Sequence, residues 1–198
     1  MIICKAINNN QRYLTCDVAL QGSDNFVFRY WDNWRCYKTE YYPTCDGKEV
    51  VELIQNALKR ERIAQSNLCF DADGIGAFIL GFFPNAIPFH GNATPIKIAN
   101  DKQEFENLRS QCTFHLAQKV NNREVFVATD NTKETTVKEC TAIKRKPYDG
   151  RKHGIISKDE IKQALNGKSP DFFDTLMMRS IFDLQPIRKK LAVPFFGG

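Results

Sequence analysis

Four aspartates stand out in a chain with little other catalytic apparatus. Asp17 lies in an alternating segment, Tyr13 to Ala19, on the side shared with Thr15 and Ala19 and opposite Leu14, Cys16 and Val18, because successive strand side chains point to opposite faces. Asp71 closes a short apolar run and leads straight into Gly74 and Gly76, the kind of strand end at which open α/β sheets present functional groups. Asp171 and Asp174 sit in Ser169-Pro-Asp-Phe-Phe-Asp. There Ser169 is a natural N-cap, Pro170 suits the first helical position, and a spacing of three puts both carboxylates on one helix face. Brought together, such carboxylates hold hard divalent cations such as Mg2+ or Mn2+, which take oxygen ligands. A pair of such ions stabilises the attacking and leaving oxygens of phosphodiester hydrolysis, with water as nucleophile.

Each station also has a plainer reading. A strand aspartate is commonly a surface or edge residue, and Asp71 fits a turn or helix N-cap. Asp171 and Asp174 complement the positive end of a helix, Asp174 more weakly because it lies a turn further in. Other chemistries find less support. Asp71-x-Asp73 begins like a calcium loop, but Ile75 and Phe82 occupy oxygen-ligand positions. Gly74-x-Gly76 is followed by Ile79 where a dinucleotide loop needs its third glycine. There is no Gly-x-Ser-x-Gly elbow and no histidine pair at zinc spacing; His90, His115 and His153 are isolated and read as structural or exposed. The seven cysteines (Cys4, Cys16, Cys36, Cys45, Cys69, Cys112, Cys140) are an odd set without a CxxC pair, so they read as reduced, mostly buried thiols.

The elements that must position these acids follow from periodicity. Tyr13–Ala19, Phe26–Trp31 and Trp34–Tyr42 read as an antiparallel three-strand meander, with turn residues at 22–25 and at Asp32-Asn33. From Asp46 to about Arg62, Val50, Ile54, Ala57 and Leu58 keep helical spacing. A strand over Gln65–Phe70, a buried helix starting at Ala77–Phe82 and a strand over Ala86–His90 come next. The stripe Phe105, Leu108, Cys112, Leu116, Val120 then predicts the longest amphipathic helix, over Gln103–Val120. This order argues for an α/β fold, a mixed sheet with an antiparallel edge and helices packed against it. At 198 residues, 42% of them hydrophobic, one domain can hide roughly 70% of its unfolded surface. No apolar run approaches the ~20 residues of a membrane helix, and the first residues lack a signal-peptide layout. The tail from about 190 to 198 reads as frayed.

The net charge of +5 is unevenly placed. Between Lys144 and Lys168 eight basic residues face three acidic ones. The segment from about 142 to 157, broken at Pro147-Tyr-Asp-Gly150, reads as a hairpin. Its residues Lys144, Arg145, Lys146, Arg151 and Lys152, with Lys158 beyond, suit the phosphates of a polyanionic partner; a solvated hairpin is the bland alternative.

Taken in order, Asp17-Val-Ala-x-x-Gly22-x-Asp24, Asp71-x-x-Gly74-x-Gly76, Lys158 and Ser169-Pro-Asp-x-x-Asp174 resemble the nuclease domain of phage terminase large subunits, over most of the chain. The resemblance implies a ribonuclease H-like fold and a single nuclease domain over 1–198. It implies an acidic cluster of Asp17, Asp71 and Asp174 assisted by Asp171, and two Mg2+ or Mn2+ ions. It further implies double-stranded DNA as substrate, and the terminase ATPase domain, small terminase subunit and portal as partners. The setting would be the cytoplasm of a bacterial host, and the isolated domain would be a monomer without membrane attachment. The family's ATPase motor needs a Gly-x-x-x-x-Gly-Lys-Ser/Thr loop, which this sequence lacks. Phe172 and Phe173 are bulkier than the family pattern, and Thr175 replaces a small alanine. Two other readings stand beside the nuclease: a non-catalytic module that docks on DNA or the packaging machinery, and a resolvase- or integrase-like enzyme of the same fold.

Overall fold

A computed structural model describes residues 11–18, 25–42, 45–73, 76–98, 103–148 and 150–185. Three strands open the chain: β1 (Arg12–Asp17), β2 (Phe26–Asp32) and β3 (Arg35–Tyr42). They pair antiparallel in sequence order, with a bulge at Tyr30/Trp31. Asn33 takes the positive φ (53°) that the tight turn between β2 and β3 demands. Helix α1 (Gly47–Glu61) follows, begun by a capping box in which Asp46 accepts from the Glu49 N–H and Glu49 reaches back to the Asp46 N–H. The chain then enters β4 (Leu68–Asp71), α2 (Gly76–Phe82) and β5 (Ile87–Phe89). Strand β4 lies parallel to β1, and β5 parallel to β4.

The remaining elements are α3 (Leu108–Asn121), β6 (Phe126–Val127), α4 (Lys133–Ala142), α5 (Lys158–Ala164), α6 (Asp171–Met178) and α7 (Ile181–Leu184). The sheet order is β5-β4-β1-β2-β3-β6. Strand alternation sorts the core into two layers. Leu14, Cys16, Phe28, Leu68 and Phe70 point to one face and pack with Val50, Ile54 and Ile79 of α1 and α2. Tyr13, Trp31 and Cys69 point to the other and pack with Cys112, Leu116, Phe173 and Met177 of α3 and α6. The sheet is thus covered on both sides, as parallel strands require.

Several expectations are corrected. The helix foreseen over Gln103–Val120 begins at Leu108, because Asn107 caps it by accepting from the Ser110 N–H and Phe105 is drawn into a bridge with His153. Val120 is exposed, and α1 is one residue longer than α3. Gln65–Asn67 forms a 3-10 turn rather than strand. Ser169 does not cap α6; Pro170 holds that position, and it lacks a side-chain cap bond. Ala142 belongs to α4, so the basic hairpin is confined to a short ladder, Arg145 opposite Ile155, with Lys146 N–H to Gly154 O and Ile156 N–H to Lys144 O at 2.9 Å. Gly150 (φ +85°) turns it. Gly22, Asp24, Gly74, Asp149 and the tail lie outside the described residues. Cys16, Cys36, Cys45, Cys69 and Cys112 are buried free thiols, while Cys140 is exposed. Among the described residues no helix is long and apolar enough to cross a membrane.

Candidate metal centre

Asp17 and Asp71 are the last residues of two neighbouring parallel strands. The register pairs Leu14 with Leu68, Thr15 with Cys69 and Cys16 with Phe70, so the next step along both strands sets the two aspartates side by side. Alternation turns both toward the α6 face. Helix α6 is seated there by side chains that grip its backbone. Thr15 Oγ1 donates to Thr175 O (2.7 Å) and accepts from Trp31 Nε1 (3.0 Å). Arg29, fully buried in β2, donates to Phe172 O (3.3 Å) and Thr175 Oγ1 (3.2 Å), and also to Thr39 (3.0 Å) and Thr136 (2.7 Å). Thr175 is therefore a fastening point. Phe172 packs edge-on against Tyr41, and Phe173 enters the core beside α3. The missing cap of α6 is supplied from α4, where buried Glu139 accepts the Phe173 N–H at 2.8 Å.

The two helix acids take different partners. Asp171 accepts the Asn25 N–H (2.8 Å) and lines a groove with Tyr41, Thr132 and Glu139. Asp174 turns toward Arg109 of α3, with Nη1 donating to Oδ2 at 3.1 Å and Nη2 lying 2.7 Å from Oδ1. Asp174 and Asp71 line a cavity of about 330 Å3 together with Asp73, Arg109, Lys146 and Lys158. Asp73 sits at its rim, its N–H donating to Asp71 Oδ1 (3.0 Å) and its carboxylate meeting His90 Nδ1 (3.1 Å). Asp71 thus plays the turn role its sequence position also suggested.

Burial dominates the electrostatics. It raises the Asp17 pKa well above the ordinary aspartate value, with Asp174, Asp71 and Asp171 adding repulsion and Lys158 opposing. Asp71 is raised by burial and by Asp174, against the Asp73 N–H and Lys158. Asp174 is raised by burial against the pull of Arg109 and Lys158. Asp17 therefore feels Asp174 and Asp71, and Asp71 feels Asp174, through poorly screened surroundings. Among the described residues, no three His, Cys, Asp or Glu side chains already stand in a metal-holding arrangement; the Asp174 oxygens face Arg109 instead.

Of the residues foreseen for DNA, Lys146 and Lys158 line the cavity, Lys146 also pairing with Glu106 at 2.7 Å. Lys144, Arg145, Arg151 and Lys152 are exposed, and Arg145 borders a different groove, beside Phe105 and Phe114. Sequence reasoning missed Arg109, Arg29, Glu139, Asp73 and the His90 pairing. Only the last two had a signal, since Asp73 stands two residues from Asp71 and His90 follows a strand end on the same sheet edge.

Sequence comparison matches no protein-family model and no curated protein. Comparison of folds is informative. The nuclease domain of the large terminase subunit gp2 of bacterial virus Sf6 superposes with a TM-score of 0.73 at 20% identity, over 86% of this chain and 87% of that one. The large terminase nuclease from thermophilic phage G20c with bound magnesium gives 0.58 at 14% identity, over 87% and 82%. The Thermus phage P74-26 large terminase nuclease domain gives 0.57 at 15% identity, over 85% and 77%. The chain has the ribonuclease H-like fold of these domains.

Proposed function

We propose that the chain is a metal-dependent DNA endonuclease domain of the phage packaging terminase type, with Asp17, Asp71 and Asp174 as cation ligands and Asp171 assisting them. One observation carries this reading. Carboxylates from two adjacent strand ends and one helix stand close enough that Asp174 and Asp71 raise the proton affinity of buried Asp17, and Asp174 that of half-buried Asp71, beside a cavity edged by Lys146 and Lys158. The donor set fits Mg2+ or Mn2+, because every donor is a carboxylate oxygen and a cation relieves the repulsion that burial amplifies. When bound, two such ions supply an activated water and offset the charge that builds on the scissile phosphate.

The protein's own residues do the positioning. The strand ends fix Asp17 and Asp71, and Arg29, Thr15 and Glu139 seat the helix that brings Asp174. Lys158 places a positive charge at the cavity, where it draws in a phosphate and moderates the acids. Lys144, Arg145, Arg151 and Lys152 extend the basic surface, and phosphate contacts of this kind hold DNA with little regard to sequence. That suits cutting of concatemeric double-stranded DNA wherever packaging stops, alongside the terminase ATPase, small subunit and portal in the host cytoplasm. The isolated domain would be a monomer.

A second reading, a docking module whose acids serve only structure, is favoured by the Arg109–Asp174 ion pair, which leaves no ready-made three-ligand group among the described residues. Supercoiled plasmid separates the two. The nuclease reading expects nicking and linearisation in Mn2+ or Mg2+, none with chelator, and none from Asp71→Asn. Cutting absent in every metal with the protein folded favours the module. A preference for branched over linear DNA would instead favour a resolvase.

A further inference from the structure

We propose that Arg109 governs cation loading: its guanidinium competes with a divalent ion for the Asp174 carboxylate, and the ion binds there only as that ion pair opens. This rests on the nuclease reading above and deepens it. Arg109 is the second residue of α3, and its backbone is pinned by its own N–H to Gly91 O (3.0 Å) and by the Leu108 N–H to Ala93 O (2.8 Å). The loop after β5 therefore fixes where the side chain departs. Both Asp174 oxygens are engaged, Oδ2 by Nη1 at 3.1 Å and Oδ1 by Nη2 at 2.7 Å. The side chains are 14% and 5% exposed, so water screens the pair little.

The guanidinium leans heavily on this one anion. Neither Nε nor Nη2 has a well-formed hydrogen bond, and Asp174 Oδ1 likewise has ionic contact without hydrogen-bond geometry. A cation at Asp174 needs at least one of those oxygens, and it would meet the arginine charge across the same carboxylate. Opening the pair strands a buried arginine unless another anion takes it. The cavity it shares with Lys146 and Lys158 offers such a place to a DNA phosphate, which a guanidinium grips with two donors. Substrate phosphate would thus draw Arg109 away and free Asp174 for metal.

The test is Mn2+ binding to the metal-free chain, by calorimetry and without DNA, for wild type, Arg109→Gln and Arg109→Lys. Arg109→Gln is expected to bind Mn2+ about tenfold more tightly or better. Arg109→Lys should fall between, since an ammonium cannot span both oxygens. Unchanged or weaker affinity in a natively folded Arg109→Gln overturns the proposal. Should that variant misfold, Arg109→Lys decides, and wild-type affinity there overturns it equally. Asp71→Asn keeps the two claims apart: surviving plasmid cutting sinks the nuclease reading whatever Arg109 does. Abolished cutting in Asp71→Asn with unaltered Mn2+ affinity in the Arg109 variants sinks only this inference, and no Mn2+ binding by any variant sinks both.

Discussion

Arg29 and Glu139 show how much of this site depends on residues outside the four aspartates proposed as its ligands. The Arg29 guanidinium ties β2 to α6, α4 and β3 from a fully buried position, so removing it orphans several buried acceptors at once. Arg29→Met should cost about 3 kcal/mol or more in a urea melt; a loss under about 1 kcal/mol would contradict the role given to it. Glu139 is a different case, since burial pushes its pKa up to about 8 from an ordinary 4.5, against the Phe173 and Phe172 N–H groups that hold it down. Between those values the folded chain keeps a proton that the unfolded chain has released, so stability falls as pH rises through that window. The metal-free acids Asp17, Asp71 and Asp174 are shifted in the same direction. Denaturant melts without metal from about pH 5 to about pH 8 should therefore show declining stability, and a shallower decline for Glu139→Gln. Equal slopes in the two proteins would remove Glu139 from the account.

At the scale of elements, the short ladder between 144–146 and 154–156 bears the positive surface. Reversing Lys144, Arg145, Arg151 and Lys152 to glutamate should weaken duplex binding and flatten its salt dependence, by about 0.9 in log–log slope for each phosphate no longer neutralised. Anisotropy titrations across salt concentrations measure both, and an unaltered slope would take the ladder out of the DNA path. The meander and α1 were legible in the sequence because alternation and the helical spacing of Val50, Ile54, Ala57 and Leu58 state them locally. Helix α4 was not: its apolar positions are few, with Val137 exposed and Glu139 buried, so its place comes from tertiary packing. Strand β6 spans two residues, too short for any period. Helix α5 did carry a signal, the Ser157–Glu160 capping box, hidden within a run read for its charge.

For the whole molecule, the topology does what no local pattern can. The parallel crossover sets Asp17 beside Asp71, and α6 returns from the far end of the chain to the same sheet face. The acids were readable as candidates because the motif marks them one by one. The Arg109–Asp174 pair was not, since it joins α3 to α6 through space with no spacing rule. If a cation completes this centre, folding and metal are linked: Mn2+ at ~100 times its Kd stabilises by about 2.7 kcal/mol, and Asp71→Asn should forfeit most of that in a thermal shift. The most direct measurement is anomalous scattering from a crystal of the chain grown with Mn2+. The account predicts manganese bonded to Asp71 and Asp174 with Asp17 in reach and Arg109 withdrawn from Asp174. Manganese bound elsewhere, with the Arg109–Asp174 pair still closed at saturating metal, would contradict it.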